Sequence, residues 1–294
     1  MDINYELYKV FYYVADTLSF SEASKQLFIS QSAVSQSIKA LEKKLDQVLF
    51  IRSTKKVQLT PEGEILLRHI EPAINLIKRG ESQIMETAST GGQIRIGASD
   101  TICRYYLVPY LQAFHEHFPN VHIKVTNATS IKCTELLENG QVDLIVANYP
   151  NVYLGSLASF RKIRDFHDVF IANQSFAELQ GKKLSLKELQ RYPIIMLDRK
   201  STTSEFLHSL FQQHQLDLVP EIELSSNDLL IDLASIGLGI AFVPDYCLVK
   251  ETAAFQLDLV EELPPRQLVV AHSSHLPIPQ AAKEFMSMLE KGAE

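Results

Sequence analysis

The sequence has 294 residues, 46% of them hydrophobic and 21% charged, which is long for one domain and too apolar for a disordered chain, so two or three folded units are expected. Its net charge is −7, from 28 Lys and Arg against 35 Asp and Glu; spread evenly, that balance would argue against a nucleic-acid partner. Cys103, Cys133 and Cys247 give neither a disulfide framework nor a zinc-ligand spacing, MDINYELYKV carries no export signal, and no run reaches the roughly 18 apolar residues of a membrane span, so the expected location is a reducing cytoplasm.

The charge is not spread evenly. Residues 36–60 hold six basic side chains (Lys39, Lys43, Lys44, Arg52, Lys55, Lys56) against Glu42 and Asp46, whereas residues 91–294 hold 17 basic and 24 acidic ones. A basic N-terminal patch therefore precedes an acidic body. Leu7, Phe11 and Val14 recur at helical spacing and predict a first amphipathic helix. Ser21 reads as the N-cap of a short second helix, with small Ala23 where two helices approach closely. After a turn at Phe28-Ile29, Ser30 caps a third helix over Gln31 to about Leu45. Val34, Ile38, Leu41 and Leu45 form its buried stripe. The opposite face carries Ser32, Ser35, Gln36, Lys39 and Lys43. Short polar groups at the helix start and cations further along suit base edges and phosphates in a major groove. Val48–Arg52 and Val57–Leu59 flank a basic polar tip and predict a hairpin, a wing against the phosphate backbone with Arg52, Lys55 and Lys56 at or near its tip. Thr60 then caps a helix with Pro61 in its first position.

Residues 7–63 closely resemble the DNA-binding segment of LysR-type transcriptional regulators. Phe11, Val14, Ala15, Ser19, Phe20, Ala23, Leu27, Ser30, Gln31, Ala33, Val34, Ser35, Ile38, Leu41, Glu42, Leu49, Phe50, Arg52, Leu59, Thr60 and Gly63 carry the match. Ser24, Ser32 and Gln36 depart from it, standing where alanine, proline and arginine are common; the last two bear on base preference rather than fold. The resemblance implies double-stranded DNA as a partner, read through Ser30, Gln31, Ser32, Ser35, Gln36, Lys39, Arg52, Lys55 and Lys56.

Within residues 61–88, Leu66, Ile70, Ala73, Ile77, Gly80 and Ile84 alternate at 4-3 spacing, an a/d seam broken in smoothness by Pro72. Such a seam packs either on its own chain or on a partner. The resemblance implies the partner: a linker helix that pairs two subunits, giving a dimer or tetramer over an approximately palindromic operator. Ser89-Thr90-Gly91-Gly92 reads as a flexible break.

The remainder repeats itself. Strand 94–98, polar 99–101, helix 107–118, strand 123–126, polar 127–130, helix 133–137 and strand 144–147 are echoed by strand 194–197, polar 201–203, helix 205–213, strand 221–224, polar 225–227, helix 229–234 and strand 240–243. This predicts two similar α/β lobes with partly parallel sheets. The chain is expected to cross between them near Phe160-Arg161-Lys162 and to return near Pro264-Pro265-Arg266, with Gln267–Ala271 and a final helix over Pro279–Leu289 completing the first lobe. In such lobes ligands bind off the carboxyl ends of strands, where helix N-termini favour a small anion. The body resembles the periplasmic-binding-protein-like effector domain of the same regulators, more loosely than the N-terminus does. By position, that places Ser99, Thr101, Thr129, Thr202 and Asn227 in the effector cleft; Arg104, Lys132 and Arg199 lie near the same strand ends, where each either neutralises an anion or, as is commoner for such side chains, is solvated at the surface. Cys103 and Cys133 near the cleft leave a redox-sensing version open.

No G-x-S-x-G, P-loop, dinucleotide turn or metal-ligand pair is present, so no enzyme activity, metal or cofactor is expected. The expected fold is α+β and multi-domain: a winged helix-turn-helix over 1–60, a linker helix over 61–90, and a two-lobed effector domain over 91–294. Its first lobe is expected at about 91–160 plus 266–294 and its second at about 161–265.

Overall fold

A computed structural model describes residues 3–52, 56–86, 92–155, 158–248 and 253–292. Two compact units divide the chain, one of residues 1–85 with 139–141, the other of residues 86–138 with 142–294.

The first unit runs α1 (Tyr5–Thr17), α2 (Phe20–Leu27), α3 (Gln31–Leu45), β1 (Phe50–Arg52), β2 (Val57–Leu59) and α4 (Pro61–Glu86). Val10, Phe11 and Val14 of α1 close over Ala23 of α2 and Val34, Ile38 and Leu41 of α3 in one core. The start of α2 differs from expectation. Ser19, not Ser21, is the N-cap, its hydroxyl accepting from the Glu22 N–H at 3.2 Å. The earlier start brings Phe20 into the helix and its ring to 6.0 Å from that of Phe50; aromatic burial outweighs the choice between two adequate caps. Ser30 caps α3 by accepting from the Ala33 N–H at 3.1 Å. Leu45 is only partly buried, because the stripe runs out at the helix end.

β1 and β2 pair antiparallel with Phe50 opposite Leu59 and Arg52 opposite Val57. Glu42 ties this hairpin to α3: its Oε1 accepts from the N–H groups of Leu49 (2.9 Å) and Phe50 (3.3 Å). Thr60 accepts from the Gly63 N–H at 3.0 Å and donates to the Val48 carbonyl at 2.7 Å, so the start of α4 is bonded to the entry of the wing. The seam on α4 divides. Leu66 and Ile70 pack on their own unit's core, whereas Ile77 and Ile84 are 58% and 74% exposed. Pro72 lies inside the continuous helix.

The second unit holds two five-stranded sheets. The first lobe contains β3 (Gln93–Ala98), α5 (Asp100–Ile102), a π-helical turn over Cys103–Leu107, α6 (Val108–His117), β4 (His122–Asn127), α7 (Ser130–Glu138), β5 (Leu144–Tyr149) and β6 (Ala158–Phe166). The second contains β7 (Asp168–Ala172), β8 (Lys183–Leu184), α8 (Leu186–Leu189), β9 (Ile194–Leu197), α9 (Thr202–Gln213), β10 (Ile222–Leu224), α10 (Asn227–Ser235), β11 (Ile240–Pro244), β12 (Phe255–Gln256) and β13 (Asp258–Leu259). The chain returns through β14 (Arg266–Ser273) and α11 (Gln280–Lys291). Strand order is β4-β3-β5-β14-β6 in one sheet and β10-β9-β11-β7-β12 in the other. The β3–β4, β3–β5, β9–β10 and β9–β11 pairs are parallel. The outward crossing differs from expectation. β6 pairs with β14 as far as Phe166 opposite Arg266, so the chain leaves the first sheet at His167 rather than near 160–162. The charged run of β6 hides this, because an edge strand exposed along most of its length lacks the apolar run of its buried neighbours.

Gly63 gives a direct check on the first unit. A Cβ there would lie 2.3 Å from the Leu49 carbonyl oxygen, whereas one on Gly80 would meet nothing within 4 Å. Gly63→Ala is expected to cost about 1–3 kcal/mol through steric displacement of the wing, and Gly80→Ala to be neutral or to gain up to about 1 kcal/mol of helix propensity. Urea melts of the two variants check this; equal stability would show that the close approach is absent.

Candidate functional site

In the first unit, α3 separates its two faces cleanly. Val34, Ile38 and Leu41 are fully buried, while Gln31, Ser32, Gln36, Lys39 and Lys43 are exposed and Ser35 is half-buried. A helix anchored on one side by aliphatic burial is rigid enough to hold polar groups in a groove. Ser30 has a structural task, since its hydroxyl caps α3 and lies 2.9 Å from that of Ser32. Lys56 is exposed beside the hairpin. Arg52 lies on β1, and Lys55 lies outside the described residues.

In the second unit, one cavity of about 260 Å³ lies between the two lobes. Ser99, Thr101, Thr129, Thr202 and Asn227 all line it. The reason is topological. Parallel strands β3, β4, β9 and β10 end on the same side of their sheets and each leads into a helix. Ser99, Ser201 and Ser226 cap α5, α9 and α10, accepting from the N–H groups of Ile102 (3.3 Å), Ser204 (3.0 Å) and Leu229 (3.3 Å). Thr129 accepts from the Lys132 N–H at 3.3 Å before α7. Capping and cavity lining are thus one placement. The Asn227 amide donates to Thr101 Oγ1 at 3.0 Å, a bond between the lobes. Tyr105 donates to Asp228 at 2.5 Å, a second one.

The three cations near the strand ends take the surface alternative. Arg104 pairs with Asp228 at 3.6 Å and Lys132 with Glu135 at 2.5 Å, Arg199 is exposed, and none of the three lines the cavity. The charged residues that do are Asp100 and Asp198. Asn127, Ser130 and Asn148 also line it, and buried Asn148 Oδ1 and Asn227 Oδ1 have no partner among the described residues. Beneath Thr202 and Thr203 lies Arg266, wholly buried and paired with wholly buried Asp168 at 2.8 Å. Burial pushes the Asp168 carboxyl up while Arg266 draws it down. Asp100 lies within the polar run 99–101 read from the sequence, and Asp198 directly follows the strand 194–197. Arg266 has no such signal, being a lone arginine after two prolines whose burial only the fold reveals.

Cys103 donates to Asn127 Oδ1 at 3.4 Å and Cys133 to the Ala128 carbonyl at 3.4 Å. Burial pushes the Cys103 thiol up to about 11, with Asp100 adding to the shift, and the Cys133 thiol up to about 12, with Cys103 adding to it. Both are therefore protonated at neutral pH, the unreactive form. No group of three or more His, Cys, Asp or Glu side chains with metal-binding geometry occurs among the described residues, and no described helix is long and apolar enough to cross a membrane.

Two family models match the chain. "Bacterial regulatory helix-turn-helix protein, lysR family" covers residues 5–64, and "LysR substrate binding domain" covers residues 87–294. A relative described as a probable RuBisCO transcriptional regulator, from Phaeodactylum tricornutum, is 29% identical over 84% of this chain and 82% of its own length. A solved structure of full-length CbnR complexed with its target DNA is 18% identical, with a TM-score of 0.68 over 98% of this chain and 99% of that one. The regulatory domain of Synechocystis PCC6803 CcmR, solved in complex with 2-PG, is 20% identical, with a TM-score of 0.62 over 68% of this chain and 96% of that one.

The raised thiols give a pH-dependent expectation. A raised thiol withholds its thiolate until the pH approaches the raised value. Iodoacetamide labelling of Cys103 and Cys133 in the folded protein should stay slow through pH 8 and accelerate only toward pH 11 or on unfolding. Labelling at pH 7.5 as fast as that of free cysteine would contradict the protonated assignment.

Proposed function

The chain belongs to the LysR family of DNA-binding transcriptional regulators, and from that premise we propose that α3 reads base edges while the hairpin contacts phosphates. Gln31, Ser32, Ser35 and Gln36 are the base-reading candidates, by their length and their place at the start of α3. Lys39, Arg52, Lys55 and Lys56 are the phosphate contacts. Ser30 contributes by fixing the helix start. The observation that carries this is the division of α3 into a buried aliphatic face and an exposed polar one.

The proposed division of labour is DNA binding by residues 1–60, a linker over 61–90, and effector binding over 91–294. The part of the α4 seam that its own core leaves uncovered, Ala73, Ile77 and Ile84, supports pairing with a second copy. A dimer then places two α3 helices on an approximately palindromic operator, and a tetramer doubles that arrangement. The interlobe cavity is the proposed effector site, with Ser99, Thr101, Thr129, Thr202 and Asn227 as its polar contacts. Several helix N-termini support an anionic group on the effector, and Asp100 and Asp198 ask for hydrogen-bond donors on the same molecule. The complex of the CcmR regulatory domain with 2-PG supports a small-molecule effector in a domain of this fold. Effector binding would shift the lobes about the crossings at His167 and Pro264-Pro265 and bias the spacing of the two DNA-reading helices.

Binding of the full chain to duplexes selected from a random library tests the DNA reading. Lys56→Ala should weaken binding to every sequence and lower the log–log salt slope by about 1. Gln31→Ala should leave non-specific binding unchanged and remove about 1–3 kcal/mol of discrimination at particular bases. An unaltered base preference in Gln31→Ala would remove it from the base-reading set.

A further inference from the structure

Building on the effector-site reading of the interlobe cavity, we infer that Arg266 sets the hydrogen-bond polarity of the cavity floor, and that this polarity selects a small acid bearing hydroxyl or amino groups. Arg266 opens β14 directly after Pro264-Pro265 and is wholly buried. Its guanidinium lies between the Phe166 and Phe206 rings, 5.4 and 5.0 Å from their centroids. Nη1 donates to Asp168 Oδ2 at 2.8 Å and to Thr203 Oγ1 at 3.0 Å, and Nη2 donates to Thr202 Oγ1 at 3.2 Å. Phe166 and Asp168 flank the outward crossing, and Thr202, Thr203 and Phe206 belong to α9. A buried ion pair is a weak source of stability; its directional consequence is the informative one.

A guanidinium has donors and no acceptor. The Thr202 and Thr203 hydroxyls must therefore accept from it and direct their own O–H groups elsewhere. Both residues line the cavity. Both also lie in the first turn of α9, where N–H groups have no intrahelical acceptor, and the cap Ser201 Oγ accepts from Ser204 rather than from either of them. The floor thus carries Thr202 and Thr203 O–H groups and first-turn N–H groups whose donor capacity no hydrogen bond among the described residues takes up. A carboxylate or phosphate oxygen satisfies it, and an amide nitrogen does not. The remaining lining has the opposite sense. Asp100 and Asp198 are acceptors, and buried Asn148 Oδ1 and Asn227 Oδ1 are acceptors without partners. A ligand that satisfies both parts carries an acid at one end and hydroxyl or ammonium donors on the rest. Selection then works through donor direction on neutral groups, and an anion is accommodated without a Lys or Arg among the described lining residues.

The test compares D-glycerate, L-lactate, L-serine and L-threonine, each with its primary amide, by calorimetric titration of the full chain. At least one acid is expected to bind about tenfold or more tighter than its amide, the ratio of a charge-assisted hydrogen bond to a mismatched one. The double variant Asp168→Asn with Arg266→Gln replaces the donor-only fork by an amide whose carbonyl can accept from the threonines. It should lose the acid-over-amide ratio while its circular dichroism and DNA affinity stay those of the wild type. Should that variant fail to fold, Thr202→Val and Thr202→Ser carry the test: valine loses about tenfold in acid affinity and serine restores it. Equal binding of acid and amide, no binding of any of the four acids, or wild-type preference in the double variant or in Thr202→Val would overturn the inference. Ala128→Trp, which fills the cavity, separates this from failure of the effector-site reading. A compound of another class whose binding is lost in Ala128→Trp leaves the site standing, whereas small-molecule binding indifferent to Ala128→Trp overturns the site as well.

Discussion

Strands β3, β4, β9 and β10 end at one cavity, and each hands the chain to a helix whose first N–H groups have no backbone acceptor. That unmet donor capacity is the constraint on which the second unit depends. It explains why Ser99, Thr129, Ser201 and Ser226 stand where they do, since a short hydroxyl is the side chain that satisfies a helix start without filling the space in front of it. It also explains why the cavity is polar on both sides and why hydrogen bonds such as Asn227 to Thr101 join the lobes across it, beside the packing of Tyr105 and Tyr246 on the opposite lobe's core. Each lobe keeps its own apolar core, and the bonds across the cavity are ones that a bound ligand can exchange for its own.

The first unit uses burial to a different end. Three fully buried aliphatic side chains fix α3, and the Glu42 carboxylate fixes the hairpin to the same helix. The polar face and the wing are therefore held by the same element, and a groove that receives one receives the other in register. The Thr60 and Gly63 contacts extend this rigidity into α4. The seam of α4 that its own core leaves open begins only after that rigid section, which suits a helix that is anchored at one end and pairs along the rest.

Much of this was legible in the sequence because periodicity and capping are local. The α3 stripe, the Ser30 cap and the duplicated strand–helix order follow from spacing, and the five cavity residues from the family resemblance laid over that order. The departures have physical causes. Ser19 replaces Ser21 as a cap because Phe20 reaches Phe50, a contact that closes only in three dimensions. The crossing is displaced to His167 because an edge strand rich in Arg and Lys reads as a loop. Arg104 and Lys132 lie near those strand ends, yet Lys132 pairs with Glu135 on its own helix and Arg104 with Asp228 on α10; a pairing between residues 104 and 228 leaves no local signal. Arg266 is the extreme case: its neighbours come from residues 166, 168, 202, 203 and 206, and only the return of the chain through β14 assembles them.

The claim on which the functional reading rests is that this chain discriminates among DNA sequences through α3 and the wing. Repeated selection of the full chain against a random duplex library at about 150 mM salt, followed by affinity measurement on the enriched and scrambled duplexes, tests it directly. Enrichment of a two-fold-related sequence bound at least about a thousandfold more tightly than its scrambled form is the expected result. Failure to enrich any sequence, with equal affinity for selected and scrambled duplexes, would contradict it.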